Sequence, residues 1–445
     1  MTPPPTCSSA LEKETYATVT RRLLPLLFIC YILSYIDRIN VGFAKLQMAQ
    51  DLKLSNAAFG AGAGVFFLGY FLFEIPANLL LVRLGANIWL GGIVIGWGIA
   101  STCTAFVASV PEFYLVRFLL GMLEAGFFPG VIFYLTFWYT KQYHGRIISL
   151  FMSAIPLSGV VSGAVSGWIL GHMTNVARLR GWQWLYILEG IPPIIAGLFV
   201  LVLLPETPAT TRWLRLEQKE LLANLMAEDS STRSSAQGHF LDALKMPAVW
   251  LLCLVFFGFV MASYGIGFWL PQILSESSSK DPWTIGLLSM IPWGLGAVAM
   301  IAVGRHSDIT GERCWHVSLS GITAVVGFAV SAIPHLSPAL GLAALSVATA
   351  GVMASVGTFW SLTAGLLRST AAAAGIAWIN SVGSLAGYVS PYWVGQIRDG
   401  TNSMAWPLLL FSGSCLVSAS AVLLLRVNIS GSIARQAPSV LINSD

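Results

Sequence analysis

Four charged residues stand inside apolar stretches of this sequence and could do chemistry there. Asp37 and Arg38 are adjacent within YILSYIDRIN, and Arg117 and Glu124 are seven residues apart within RFLLGMLEAG. At ~100° per residue, this spacing brings Arg117 and Glu124 to one face of a helix, about 10 Å apart along its axis. Acids beside bases in an apolar setting suit either a structural network of ion pairs or a site for an anion and a proton.

The site for an anion and a proton is the interpretation that we favour. A buried acid that loses its cationic partner to an incoming carboxylate is desolvated, and it then favours its protonated form. Asp37 and Glu124 are therefore the predicted proton-coupling acids, and Arg38 and Arg117 are the predicted anion-binding residues. A salt-bridge network that only holds two helices in register stays open as the alternative.

The surrounding composition places these charges in a membrane. Apolar residues make up 56% of the 445 residues and charged residues only 10%, and the mean hydropathy is +0.74. A bilayer core needs roughly 20 apolar residues per helix, and apolar blocks of that length recur about twelve times. The sequence therefore predicts an all-α membrane protein with about twelve transmembrane helices. No cleavage site closes the first block, so we expect its helix to be retained.

The distribution of lysine and arginine sets the predicted topology. With the N-terminus inside, 16 of the 24 such residues fall in inner segments and six in outer ones, which matches the enrichment of these residues in cytoplasmic loops. We expect a multi-pass protein of the inner (cytoplasmic) membrane with both termini in the cytoplasm. We also expect it to lie in the lipid bilayer as a monomer. The net charge of +4 reflects this asymmetry, and we expect no nucleic-acid partner.

The predicted organisation is two six-helix halves joined by a polar linker. The predicted segments are a cytoplasmic N-terminal tail at 1–22, an N-terminal half at 23–204, a cytoplasmic linker at 205–245, a C-terminal half at 246–427 and a cytoplasmic C-terminal tail at 428–445. Gly85 and Trp89 have the same spacing as Gly311 and Trp315. This match between loops of the two halves favours an internal repeat.

Several stretches resemble the major facilitator superfamily. GRHSDITGER at 304–313 resembles a signature loop of that family. SYIDRINVGFA, RFLLGMLEAGFFPG and INSVGSLAGYVSP resemble its anion:cation symporters, which include bacterial sugar-acid, tartrate, phthalate and hydroxyphenylacetate permeases. The resemblance implies two pseudo-symmetric six-helix halves, transport without a cofactor, and protonatable acids at Asp37 and Glu124. One departure is Val82, which stands where Asp308 has its first-half counterpart.

Further side chains are predicted around the same cavity or at its gate. The predicted substrate contacts are Tyr35, Tyr70, Trp360 and Asn380, since the family's sugar-acid members place matching side chains around the ligand. The predicted cytoplasmic gate consists of Glu74, Asp308, Arg305 and Arg313. Ile155 stands where those members have an amide, which favours a less hydroxylated substrate, an aromatic or short carboxylate. Gly159, Gly163 and Gly167 form a stripe that predicts a close helix contact.

These observations predict a proton-coupled symporter that imports a small organic carboxylate by alternating access. A passive facilitator of the same anion, and an exporter of carboxylates or drugs, stay open. An ATP-driven pump is excluded because no lysine follows a glycine, so the P-loop motif is missing. No catalytic or metal-binding pattern is found, and no enzyme activity is expected. The sequence leaves open whether the carboxylate is a sugar acid, tartrate-like or aromatic.

Overall fold

The computed structural model describes residues 5–231, 244–367 and 372–436. These residues form helices joined by turns and short loops, and no β-strand occurs among them. The predicted all-α fold is confirmed. The predicted tails and linker lie partly outside the described residues, at 1–4, 232–243 and 437–445.

The helices fall into two groups separated by the linker helix. The first group is α1 (Pro5–Asp51), α2 (Asn56–Leu84), α3 (Ala86–Cys103), α4 (Val110–Glu124), α5 (Phe127–Leu135), α6 (Lys141–Met152), α7 (Ala154–His172) and α8 (Gly181–Leu203). The linker helix is α9 (Leu216–Ser231). The second group is α10 (Pro247–Ser277), α11 (Pro282–Thr310), α12 (Cys314–Ser331), α13 (Pro338–Leu366), α14 (Ala372–Thr401) and α15 (Ala405–Gln436). Single 3₁₀ turns lie at Thr104–Phe106, Val176–Arg178 and Pro208–Thr210.

Most of these helices have the length and apolarity of membrane spans. Eleven segments of the described chain are long and apolar enough to cross a bilayer, and α14, with 30 residues, adds a twelfth helix of spanning length. Two predicted spans are broken, since α4 and α5 are separated at Ala125 and Gly126, and α6 and α7 at Ser153. The first span is longer than predicted because α1 continues to Asp51.

Polar residues define where several spans begin. Ser55, Ser109, Asp281 and Ser337 each precede a helix, and each side chain accepts a hydrogen bond from a backbone N–H of the first turn. These caps satisfy donors that have no partner inside the helix. At the other end of α11, Gly311 has φ of +69°, a left-handed conformation that glycine adopts without a steric penalty.

The two helix groups show the same packing pattern. In the first group α3 packs on α8, α2 on α4 and α1 on α7; in the second, α12 packs on α15, α11 on α13 and α10 on α14. Such correspondence is what an internal repeat produces. The groups meet along three helix pairs, which are α1 with α10, α2 with α14, and α7 with α11.

The groups approach each other most closely toward the predicted outer end. A Cβ atom added at Gly163 would lie 2.8 Å from the carbonyl oxygen of Gly286, and one added at Gly60 would overlap the carbonyl oxygen of Pro391. Backbones that come this close leave no room for a side chain. The close contact predicted for the glycine stripe is confirmed, and it closes the outer side of the seam.

A matched pair of substitutions on α11 tests this closure. Gly286→Val should lower the apparent melting temperature of the detergent-solubilised protein by several degrees, because the new side chain overlaps the α7 backbone and overpacking costs ~1–3 kcal/mol. Gly304→Val on the same helix is the control, since nothing lies within 4 Å of a Cβ added there. Equal melting temperatures for the two variants would contradict a close-packed outer seam.

Candidate functional site

A central cavity lies between the two helix groups. The space between its walls, including the part that is open to solvent, is about 760 Å³. Nine helices contribute to it, five from the first group and four from the second. The described residues that line it are Tyr31, Tyr35, Arg38, Phe67, Tyr70, Phe128, Met152, Ile155, Phe256, Val260, Ser263, Tyr264, Met300, Met353, Val356, Trp360, Asn380, Gly383 and Ser384.

Arg38 is the cation of this cavity. Among the lining residues that the structure describes, it alone carries a positive charge, and only 5% of the residue is exposed. Its guanidinium donates from Nη1 to the Tyr264 hydroxyl at 3.2 Å and lies 4.8 Å from the Tyr35 ring centroid and 5.2 Å from that of Tyr70. Ring faces stabilise a desolvated cation, so the aromatic walls help to hold Arg38 in an apolar setting.

Glu124 is the counter-ion of Arg38. The Arg38 Nε donates to Glu124 Oε1 at 2.6 Å, and the Ser34 hydroxyl donates to the same oxygen. Oε2 has no hydrogen-bond partner among the described residues, and the side chain is fully buried. Arg38 therefore connects the cavity to a buried carboxyl group.

Asp37 and Arg117 lie behind Arg38, away from the cavity. Successive helix residues point ~100° apart, so Asp37 faces α3, where it accepts a hydrogen bond from Ser101 at 2.6 Å. Arg117 donates to the backbone carbonyls of Asp37 at 3.2 Å and of Arg38 at 3.5 Å. Both side chains are fully buried and neither lines the cavity. The four predicted charges thus form one cluster, of which Arg38 alone reaches the cavity.

The four predicted substrate contacts all line the cavity. Tyr35 and Tyr70 flank Arg38 in the first group. Trp360 on α13 packs edge-on against Phe256, with ring centroids 4.8 Å apart. Asn380 on α14 completes the second-group wall. Their contact with a substrate stays a prediction.

Glu74 links the two groups beside the cavity. It is 8% exposed and accepts hydrogen bonds from Asn380 Nδ2 at 3.0 Å and from Ser381 Oγ at 3.2 Å. Since Glu74 lies on α2 and its donors on α14, this contact crosses the seam. The position suits the gate role that the sequence predicts for Glu74.

The other predicted gate residues make no contact across the seam within the described chain. Arg313 donates to the Ser361 carbonyl of its own group. Asp308 and Arg305 are exposed, and neither has a hydrogen bond or an ion pair to a described residue. The gate role of these three residues therefore stays a prediction.

Lys45 is a buried charge that was not among the predicted site residues. It lies within α1 and is 4% exposed. Its Nζ is 3.7 Å from the Trp269 ring centroid of α10 and donates to Asn56 Oδ1 at 2.7 Å. This cation therefore joins the two groups near their predicted outer end. Because polar residues surround Lys45, hydropathy did not indicate that helix α1 continues through this position.

A second polar contact reinforces the same end. Asp399 of α14 accepts hydrogen bonds from the backbone N–H groups of Asn56 at 3.1 Å and Ala57 at 2.8 Å, at the start of α2. Arg398 pairs with Glu276 of α10. We call Lys45, Asn56, Asp399, Arg398 and Glu276 the outer network. Its members were not predicted as site residues, because they stand near predicted span ends where charges are ordinary.

Glu189 is a buried acid that the sequence prediction also missed. It accepts from Ser166 Oγ at 2.7 Å and from Asn40 Nδ2 at 3.0 Å and is 4% exposed. These bonds tie α8 to α7 and α1. Glu189 is an isolated acid in an apolar run, LYILEGIPP, so the criterion that found Glu124 also applies to it.

The sequence matches one family model and several known transport proteins. The Major Facilitator Superfamily model matches residues 27–391. The chain is 41% identical over 413 residues to a putative metabolite transport protein, NicT, of Pseudomonas putida, covering 93% of this chain and 94% of that protein. It is 40% identical over 415 residues to a putative tartrate transporter of Agrobacterium vitis, with 93% and 92% covered. It is 39% identical over 402 residues to a quinolone resistance transporter of Acinetobacter baumannii, with 90% and 92% covered.

A solved structure shares the fold at low sequence identity. The partially occluded inward-open xylose transporter XylE of E. coli superposes with a TM-score of 0.71 at 14% identity, covering 94% of this chain and 99% of that one. The resemblance and the fold predicted from the sequence are confirmed. The chain belongs to the major facilitator superfamily, and it is a membrane transporter.

Proposed function

We propose that this transporter is a proton-coupled symporter that imports a small organic carboxylate by alternating access. The supporting observation is that Arg38 lines the central cavity while its Nε is bonded to the buried Glu124 at 2.6 Å. One guanidinium is thus shared between the space that a substrate enters and a protonatable group. The tartrate transporter of Agrobacterium vitis adds support, since tartrate is a carboxylate.

The first step is capture of the anion by Arg38. A guanidinium presents paired donors that match a carboxylate. The Nε of Arg38 is engaged by Glu124 and the Nη1 by Tyr264. We propose that a substrate carboxylate takes Nε and Nη2 as a pair and thereby displaces Glu124 from Arg38.

The second step is protonation of the displaced acid. A buried carboxylate without a cationic partner is costly, and binding a proton removes that cost. Glu124 would therefore take up a proton as the anion binds, so that the positive charge of the proton offsets the negative charge of the anion in the cavity. Asp37 is the second proposed acid, since one of its carboxylate oxygens has no partner among the described residues. Arg117 fixes this part of α1 by holding two of its carbonyls.

The third step is exchange of access between the two sides. In the described conformation the predicted outer side is closed by the glycine contacts and by the contacts of Asn56 with Asp399 and of Lys45 with Trp269. We propose that outward opening breaks these contacts while Asp308, Arg305 and Arg313 form a latch at the cytoplasmic end. Glu74 would lose or regain its hydrogen bonds from Asn380 and Ser381 in the same movement.

Export is the second candidate, and the quinolone resistance transporter of Acinetobacter baumannii favours it. An exporter of this kind would exchange its substrate for protons. A passive facilitator would carry the anion without protons. The three functions differ in the proton movement that accompanies the substrate, so one measurement separates them.

The test is internal pH in proteoliposomes during external addition of sugar acids, tartrate and aromatic carboxylates, with protein-free liposomes to correct for passive permeation. Symport predicts acidification with at least one carboxylate and none with its neutral amide. Antiport predicts alkalinisation. Uptake of a labelled carboxylate without any pH change would identify a facilitator and contradict the proposal.

Glu124→Gln should abolish proton-driven accumulation of the substrate and leave exchange of substrate across the membrane intact. The amide has nearly the same shape but cannot carry a proton. Accumulation and counterflow of a labelled carboxylate in proteoliposomes measure the two activities separately. Glu217→Gln, an acid-to-amide change at an exposed position of α9, is the matched control. Normal accumulation in the Glu124 variant would remove this acid from the coupling role.

Arg117→Ala should weaken carboxylate binding by at least ~10-fold, because the carbonyls of Asp37 and Arg38 lose a charged donor and the Arg38 side chain loses its position. Arg38→Ala should lose binding entirely. Calorimetric titration of the purified proteins measures both, with the exposed Arg22→Ala as control. Wild-type affinity in the Arg117 variant would show that Arg117 has a structural role only.

A further inference from the structure

The charge of the central cavity lies on its first-group wall. The first-group wall carries Arg38 with the phenol rings of Tyr35 and Tyr70 around it. The apolar lining residues of the second-group wall are Phe256, Val260, Met300, Met353, Val356 and Trp360. A ligand held by its carboxylate at Arg38 therefore presents the rest of its body to an apolar surface.

Polar side chains line both walls of the cavity. On the second-group wall, Asn380 Nδ2 donates to Glu74, Ser384 donates to the carbonyl of Asn380, and Ser263 is a further hydroxyl. The phenol hydroxyls of Tyr31, Tyr35 and Tyr70 belong to the first-group wall. Because a hydroxyl both donates and accepts, a hydroxyl substituent on the ligand has partners in this lining, and the number of hydroxyls does not decide the ligand class.

The charge of the cavity limits the ligand to one carboxylate. Arg38 supplies the positive charge among the described lining residues, and it already faces Glu124. A second carboxylate would have no cation to meet, and the buried acids Glu74 and Glu124 would repel it. The cavity therefore disfavours dicarboxylates.

The apolar wall has the geometry that receives a flat ring. Phe256 and Phe359 are stacked with centroids 4.9 Å apart, and Trp360 stands edge-on to both, at 4.8 Å and 5.4 Å. Aromatic groups prefer such offset and edge-to-face arrangements. Met300 and Met353 add thioethers, which make favourable contacts with aromatic rings.

We infer that the substrate is a monocarboxylate carried on an aromatic ring, with its carboxylate at Arg38 and its ring against Trp360 and Phe256. This inference rests on the proposed carboxylate transport and narrows it to one chemical class. A single polar substituent on the ring is compatible with Ser263.

Calorimetric titration of the purified protein with five compounds tests the class. Benzoate should bind, and its neutral amide should not. Cyclohexanecarboxylate should bind several-fold more weakly than benzoate, because it lacks the π-face. Tartrate and phthalate should each bind at least ~10-fold more weakly, because each carries a second carboxylate that meets no cation.

A variant of the wall separates ring recognition from general packing. Trp360→Leu should weaken benzoate binding about 3- to 10-fold and leave the affinity for cyclohexanecarboxylate within about 2-fold. Trp406→Leu, at a tryptophan that is 59% exposed, is the control. Phe256→Leu provides the same comparison if the Trp360 variant does not fold. An equal loss for both ligands would overturn the recognition of the ring.

The outcomes distinguish this inference from the proposed function. Tighter binding of tartrate than of benzoate, or equal binding of benzoate and cyclohexanecarboxylate, overturns the aromatic class and leaves carboxylate transport standing. Absence of binding by every carboxylate overturns both.

Discussion

The buried ion pair between Arg38 and Glu124 is the interaction on which the rest of this structure depends. A charge at mid-bilayer costs ~2.5–3.5 kcal/mol on insertion scales, and removing one partner of a buried pair costs about 3–5 kcal/mol. The surroundings compensate both charges through Ser34, Tyr264 and the ring faces of Tyr35 and Tyr70. Because the pair joins α1 to the end of α4, any movement that separates these helices must first satisfy the two charges in another way. In the proposed mechanism, a carboxylate and a proton do this together.

The two ends of the molecule are built differently around that pair. Toward the predicted outer end, backbone lies against backbone at Gly163 and Gly286. The contacts of Asn56 with Asp399 and of Lys45 with Trp269 add links across the seam. Toward the predicted cytoplasmic end, Arg313 bonds within its own group, while Asp308 is exposed. This asymmetry is expected of one state of a transporter whose halves rock about a central site. The outer contacts are short-range and directional, so a small rotation is enough to release them.

Hydropathy and isolated charges in the sequence were sufficient to predict the fold and the main polar cluster. Four charges stand out in the sequence, because a charge inside a bilayer costs free energy and is therefore rare unless it is paired or functional. They are Asp37, Arg38, Arg117 and Glu124. Which of the four side chains reaches the cavity could not be predicted, since the direction of each side chain depends on how α1, α3 and α4 pack. The end of helix α4 at Glu124 could not be predicted from hydropathy either. Ala125 and Gly126 continue the apolar run, and hydropathy does not distinguish a helix from a bent segment.

Proton uptake on substrate binding is the measurement that tests the shared role of Arg38 most directly. Calorimetric titration of the purified wild-type protein with a bound carboxylate, repeated in buffers of different ionisation enthalpy, gives the number of protons taken up per anion. Displacement of Glu124 from Arg38 predicts net proton uptake in the wild-type protein and none in Glu124→Gln. Anion binding with no proton uptake in the wild-type protein would contradict the coupling and leave the pair with a structural role.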